Sequence, residues 1–371
     1  MMDKARLSAL AEKSLKKAKA LYQNIWRQAQ NISKQIWTYL RHENYRERLQ
    51  ILWINIKTFK LKKLWRGLKK ISKKASSSRK VFIRSICGFL LVYYGLGSLF
   101  VENMNVTHTY PLPKVSRQKS ETIGTLAFLI NREIDKKMWT PNLPAAFPAY
   151  VLDNMPNFQI GIMTAVRDSA GTIKNFVNKT PEQHKHIKKA EELLRYSPYV
   201  WIMVKKGKFG LAPSANAQYR KARMELLKYN DADFITYQAD FETYLTRLSG
   251  ALRRLIQKND NQIIEHSTAL LDTKADDVFY RTRGYAFASW QIALAMGFDF
   301  KKLIVQYDVY NEWTYLLSSL QKAAEFKPMF VRNGKFGGVF GANHLLVQNY
   351  YLERALVAAT QIKNKIGKSC S

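Results

Sequence analysis

The stretch that decides the fold is Val81–Val101, VFIRSICGFLLVYYGLGSLFV. Its one charged residue is Arg84, and the seventeen residues from Ser85 to Val101 carry no charge. An α-helix rises ~1.5 Å per residue and a bilayer core is ~30 Å thick, so about 17–25 such residues can cross it. A buried core helix is the alternative. The pair Tyr93–Tyr94 favours a membrane anchor, and the Arg84 guanidinium can reach the interface.

The distribution of charge predicts how this anchor is oriented. The chain has 60 Lys and Arg residues against 28 Asp and Glu residues, a formal net charge of +32. Residues 1–84 hold 23 of the basic residues and four of the acidic ones, whereas residues 101–113 hold no Lys or Arg. The positive-inside rule therefore predicts a single-pass bacterial inner-membrane protein with a cytoplasmic N-terminus and a periplasmic C-terminal domain. The late position of the apolar run indicates a retained anchor rather than a cleaved signal peptide.

The basic segment before the anchor, residues 1–80, reads as two amphipathic helices over residues 4–40 and 45–74. Apolar residues recur every three or four positions in both, and Trp26, Trp37, Trp53 and Trp65 punctuate them. Basic faces with tryptophan are typical of helices that lie on anionic lipid head groups, which is the interpretation we favour for this cytoplasmic arm. A coiled coil or helical hairpin with a partner is the next alternative. Nucleic-acid binding is the least favoured.

Beyond the anchor, residues 102–120 lack periodicity and are predicted to form an extended connector. Residues 121–367 are predicted to form a helical extracytoplasmic domain. The fold class is thus all-α: basic amphipathic helices, a single-pass membrane anchor and a multi-helix domain. Tyr199–Val204 is the one short candidate strand. The predicted helices are Thr122–Lys137, Pro156–Asn178, Pro181–Tyr196, Ala215–Tyr229 with Ser214 as N-cap, Asp233–Asn259, Asp277–Met296, Lys301–Ala324 and Ala342–Lys365.

Four separate stretches of the C-terminal part resemble a known group of proteins. They are Tyr150–Phe158 with Ala165–Asp168, Leu211–Arg220, Phe279–Tyr285 and Gly341–His344. Their identity and order resemble the domain of unknown function 2333 family of bacterial membrane proteins, over about residues 100–366. The resemblance implies a helical protein anchored in the inner membrane by a single pass. It implies no reaction.

Standard catalytic and metal-binding signatures are missing from the sequence. His184 and His186 are two positions apart, which places them on different faces of a helix, and His108 and His266 have no Cys or carboxylate at ligand spacing. The two cysteines, Cys87 and Cys370, cannot form a disulfide framework. We therefore expect no metal and no cofactor.

The remaining candidates for a ligand or partner groove are polar residues within the family-like stretches. The simplest interpretation makes Asp153–Asn154 and Asn343 helix caps, and Arg167–Asp168 a structural ion pair. The alternative is that these residues converge on a shared groove. The candidate set is Asp153, Asn154, Arg167, Asp168, Tyr280, Arg283, Tyr285, Asn343 and His344, with Arg84, Tyr93 and Tyr94 assigned to the membrane anchor.

The favoured function at this point is a non-catalytic envelope protein that binds a partner or serves as a scaffold. The expected partners are the lipid bilayer, anionic head groups at the arm and an envelope protein. The alternative is an enzyme or ligand binder that acts on cell-envelope material. Convergence of the candidate residues on one pocket would favour that alternative.

Overall fold

A computed structural model describes residues 77–102, 104–107, 109–112, 119–177, 180–201, 203–204, 211–266, 273–328, 330–334 and 343–368. The chain divides into two compact units, Met1–Ser85 and Ile86–Ser371. The two predicted helices of the basic arm lie outside the described residues. The prediction of an all-α fold is confirmed, since the described part is helical apart from one two-residue ladder.

The elements follow one another with short connections. The helices are α1 Ser77–Val101, α2 Glu121–Asn131, α3 Asn154–Ala170, α4 Pro181–Leu194, α5 Ala215–Tyr229, α6 Gln238–His266, α7 Thr273–Asp299, α8 Lys301–Gln306, α9 Tyr310–Glu325 and α10 His344–Lys368. A π-helical turn, Arg132–Lys136, continues α2, and a 3-10 turn covers Pro148–Val151. Strands β1 (Met203–Val204) and β2 (Leu211–Ala212) pair antiparallel, with Met203 opposite Ala212.

Helix α1 contains the stretch that opens the sequence argument, and its apolar side chains are largely uncovered. Eight of its large apolar residues are exposed: Phe82, Ile86, Phe89, Leu90, Leu91, Val92, Tyr93 and Leu96. Among the described residues, no helix has both the length and the mean hydropathy of a membrane-spanning segment.

The centre of the second unit is the crossing of α3 and α7, which approach at their backbones. A Cβ atom on Gly284 would lie 2.0 Å from the carbonyl oxygen of Phe158, and one on Gly161 would lie 2.1 Å from that of Arg281. Side chains of α2, α6, α9 and α10 complete one continuous core around this pair, while α4 and α5 pack against each other beside it.

Several predicted helix bounds differ from those observed, for local reasons. Helix α3 ends at Ala170 rather than Asn178, with Gly171 as its C-cap. The predicted helix Lys301–Ala324 is two helices, α8 and α9, because Asp308 adopts a positive φ of 47° that helical geometry excludes. By contrast, Ala215–Tyr229 has the predicted bounds, and Ser214 Oγ accepts from the amide of Ala217 as the predicted N-cap.

Candidate functional site

A small polar pocket lies where α3, α6 and α7 meet. Asp168 comes from the last turn of α3, Tyr244 and Arg247 from neighbouring turns of α6, and Tyr285 from α7. Tyr285 Oη donates to Asp168 Oδ2 at 3.3 Å. The remaining lining residues are Ser169, Thr172, Leu248 and Ser289. Spacings of three and four along each helix bring these side chains to one face.

Cations surround the carboxylate of this pocket, and its two phenols stay neutral. Arg167 Nη2 lies 3.3 Å from Asp168 Oδ1, and Arg254 Nη2 lies 3.6 Å from Oδ2. Burial raises the pKa of Tyr285 well above its ordinary value, and the neighbouring Asp168 carboxylate raises it further. Burial also raises the pKa of Tyr244. Its hydroxyl oxygen has no hydrogen-bond partner among the described residues.

The size of this pocket limits what it can bind. Its volume is about 10 Å³, roughly the space of one water molecule. Pockets for drug-sized ligands are typically ~300–1,000 Å³. In this conformation the pocket therefore has no room for an organic substrate.

Asp153 and Asn154 lie at the start of α3, in a second polar cluster. Asp153 is the N-cap, and its Oδ1 accepts from the amide of Asn154 at 2.8 Å. The residue nearest this cap on α7 is Asp277, which accepts from Asn157 Nδ2. Burial raises the pKa of Asp277, and the Asp153 carboxylate raises it further. Arg281 Nη2 completes the cluster by donating to Asn157 Oδ1 at 2.9 Å.

Tyr280 and Arg283 of α7 point into the protein rather than into a groove. Both are buried. The Arg283 Nε donates to the carbonyl oxygen of Ala324 at 2.8 Å, and its guanidinium lies 5.3 Å from the ring centroid of Phe158. Burial lowers the pKa of Arg283 to about 10. Such buried groups hold α7 against α3 and α9.

Asn343 and His344 lie at the start of α10. Asn343 Oδ1 accepts from the amide of Leu346 at 3.0 Å, which is an N-cap bond, while its Nδ2 donates to Asn333 Oδ1. His344 Nδ1 accepts from the amide of Arg332 at 2.9 Å. Burial lowers the pKa of His344, and the charge of Arg332 lowers it further.

The nine candidate residues are therefore distributed over four places. Arg167, Asp168 and Tyr285 meet at the pocket, whereas the other six lie at the start of α3, inside α7 and at the start of α10. The anchor residues Tyr93 and Tyr94 donate their hydroxyls to the carbonyl oxygens of Ala146 and Ala145. Arg84 is exposed on α1. Among the described residues, no group of His, Cys, Asp or Glu is arranged to hold a metal ion.

Sequence reasoning missed a buried ionic cluster at the π-helical turn. Glu133 is 0% exposed and accepts from Arg132 Nη1 and from Gln159 Nε2. Lys137 Nζ lies 3.8 Å from the same carboxylate, and the Arg132 guanidinium lies 4.5 Å from the ring centroid of Phe287. In the sequence, Glu133 and Lys137 resemble an ordinary surface pair four residues apart. Only the packing of Gln159 and Phe287 over the turn reveals the cluster.

The comparisons with known proteins address the C-terminal third of the chain. Residues 246–368 match the sequence model of a family described as "uncharacterized protein conserved in bacteria (DUF2333)". No curated protein and no solved structure matches the chain. The matched segment runs from within α6 to the end of α10, and it includes two of the four family-like stretches, Phe279–Tyr285 and Gly341–His344. The resemblance predicted from the sequence is therefore confirmed for residues 246–368, which match the DUF2333 family of uncharacterized bacterial proteins.

Proposed function

We propose that this protein is a non-catalytic, membrane-tethered helical protein whose C-terminal segment binds a partner in the bacterial cell envelope. The observation that carries the proposal is the exposed apolar surface of α1. Burying one such side chain is worth ~1.5–3 kcal/mol, and soluble monomers rarely leave eight together in water. A bilayer is the environment that covers an uncharged run from Ser85 to Val101 on all sides.

The proposed location is the inner membrane, with the N-terminus in the cytoplasm and residues 102–371 in the periplasm. The support is the excess of Lys and Arg before Ser85. The basic arm, residues 1–80, would then face the anionic inner leaflet, where each Lys or Arg adds ~1 kcal/mol of attraction. The arm thus adds a second, electrostatic attachment to the apolar one.

The two cysteines provide a direct test of the tether and of its orientation. In the Cys370→Ser variant, Cys87 in α1 should resist a water-soluble maleimide in intact membranes and react once detergent is added. In the Cys87→Ser variant, Cys370 should react with an impermeant maleimide added to the periplasmic side. Equal labelling of Cys87 with and without detergent would reject the tether. Labelling of Cys370 only from the cytoplasmic side would reverse the orientation.

The partner-binding part of the proposal rests on the outer face of α10. Leu346, Tyr350 and Val357 are exposed there at helical spacing, and Arg354 lies between them. The Arg354 guanidinium lies 4.6 Å from the ring centroid of Tyr315 and 5.1 Å from that of Tyr350. Arg and Tyr beside aliphatic side chains are enriched at the centres of protein interfaces. This face lies wholly within the family-matched segment.

Site-specific photocrosslinking tests this face in membranes of intact cells. A photoreactive residue in place of Tyr350 should give one discrete adduct, and Arg354→Ala should reduce its yield at least fivefold because the Tyr rings lose the cation that orders them. The matched control replaces Tyr310, an exposed tyrosine at the start of α9. The same adduct from both positions, or none from position 350, would count against partner binding at α10.

A further inference from the structure

A second exposed aromatic surface lies beside α1, on the loops that precede α3 and β1. We define the aromatic face as Phe147, Tyr150, Tyr199 and Trp201. Tyr150 is 57% exposed, Tyr199 58% and Trp201 42%. The rings of Phe147 and Trp201 contact each other, with centroids 6.1 Å apart. Two loops distant in sequence thus form one surface.

The backbone that carries the aromatic face is held firmly from below. Trp139 Nε1 donates to the carbonyl oxygen of Pro198 at 3.1 Å. The carbonyl oxygen of Val200 accepts from Asn142 Nδ2 at 2.9 Å and from the amide of Ala215 at 2.8 Å. Tyr199 and Trp201 therefore stay on the surface because their neighbours are fixed inward. Large aromatic residues presented this way indicate a contact surface rather than a loosely packed loop.

The aromatic face is also attached directly to α1. Tyr93 Oη donates to the carbonyl oxygen of Ala146 at 2.9 Å, next to Phe147. Gly97 of α1 packs on Pro148 so closely that a Cβ atom would lie 2.4 Å from the Pro148 Cβ. The position of α1 in a bilayer therefore fixes the position of the aromatic face.

The length of the exposed apolar part of α1 indicates where this face must lie. From Phe82 to Leu96 the helix rises roughly 21 Å at 1.5 Å per residue, against a hydrocarbon core of about 30 Å. A segment shorter than the core thins the bilayer locally or draws its flanking residues into the interface. The flank on this side is the loop bound at Tyr93 and Gly97.

We infer that the aromatic face lies in the head-group layer of the same bilayer that α1 enters, so that the helical domain rests on the membrane in one fixed orientation. This inference rests on the proposed tether. Tyr and Trp prefer the membrane interface, where the ring body is apolar and the polar tip is hydrated. Arg281 Nη2 lies 3.3 Å from the Tyr199 hydroxyl, which places a cation for lipid phosphate at the edge of the face.

Fluorophore labelling of the full chain in vesicles tests this inference. The background is Cys87→Ser with Cys370→Ser, and the vesicles contain phosphatidylcholine and phosphatidylglycerol at a molar ratio of roughly 4 to 1. An environment-sensitive maleimide dye is attached through Trp201→Cys and, separately, through Tyr150→Cys. The control position is Tyr310→Cys, which is exposed on α9. We expect a quencher at head-group depth to quench positions 201 and 150 at least twofold more than position 310.

The outcomes separate the failure of this inference from the failure of the tether. A dye on Cys87, in the Cys370→Ser variant, reports the tether itself through quenchers placed deep in the acyl chains. If Cys87 is quenched there while positions 201 and 150 match position 310, the tether holds and the aromatic-face inference is overturned. If positions 201 and 150 are shielded from water but insensitive to lipid quenchers, a protein covers the face, and the inference is again overturned. Unchanged helical content by circular dichroism confirms that the variants are folded.

Discussion

Gly284→Ala should lower the free energy of unfolding by more than about 3 kcal/mol, because no space exists for one methyl group. The Cβ would lie 2.0 Å from the carbonyl oxygen of Phe158, and the next contacts are also backbone atoms. A backbone cannot turn aside as a flexible side chain can, so α3 and α7 must separate by more than an ångström. That separation opens the core on both sides of the crossing. Gly161→Ala should have a similar effect through Arg281 O.

The matched control for these two substitutions is Gly250→Ala in α6. Its Cβ would meet only Arg254 Nη1, at 3.6 Å, so there is room for it. Alanine should therefore stabilise the protein by about 0.5–1 kcal/mol through helix propensity. Urea unfolding of the full chain in mild detergent, followed by circular dichroism, measures all three variants. Equal midpoints for Gly284→Ala and Gly250→Ala would show that α3 and α7 are not in backbone contact.

These glycines illustrate which part of the fold the sequence could predict. Helix existence follows from local signals, such as the cap at Ser214 and the periodic apolar residues of α5, and those predictions hold. Gly161 and Gly284 lie inside helices where glycine is locally unfavourable. Their purpose appears only when the two helices are brought together. The break at Asp308 was missed for the related reason that Asp is tolerated in helices as well as in the left-handed conformation.

The candidate site divides in the same way. The capping roles of Asp153 and Asn343 are local, and sequence patterns were sufficient to suggest them. The meeting of Asp168 with Tyr285 joins residues 117 positions apart, and no local spacing predicts it. Both carboxylate and phenol were candidates, but so were six residues that lie elsewhere. A set chosen by chemical type alone cannot distinguish a side chain that lines a pocket from one that, like Arg283, is buried beneath it.

Glu133→Gln should lower the free energy of unfolding by about 3–5 kcal/mol, although it changes the shape of the side chain very little. The substitution removes the carboxylate that Arg132 and Lys137 share in the interior. Two buried cations would then lie beside each other without their counterion. The control is Asp135→Asn, two residues along the same turn, where the partially exposed carboxylate pairs with Arg220 and Arg223. Its loss should cost about 1 kcal/mol or less.

The pH dependence of the Glu133→Gln effect identifies its cause. Burial lowers the pKa of Lys137 from 10.5 to about 8, while Glu133 raises it in part. The folded state thus binds fewer protons than the unfolded state between about pH 8 and 10.5, and stability from this group rises with pH through that window. Without Glu133 the pKa of Lys137 should fall further. The stability deficit of Glu133→Gln should therefore be smaller at pH 9 than at pH 7, because Lys137 is then largely neutral in both proteins. A deficit that is constant across this range would assign the effect to Arg132 alone, and a deficit no larger than that of Asp135→Asn would mean that the cluster is hydrated.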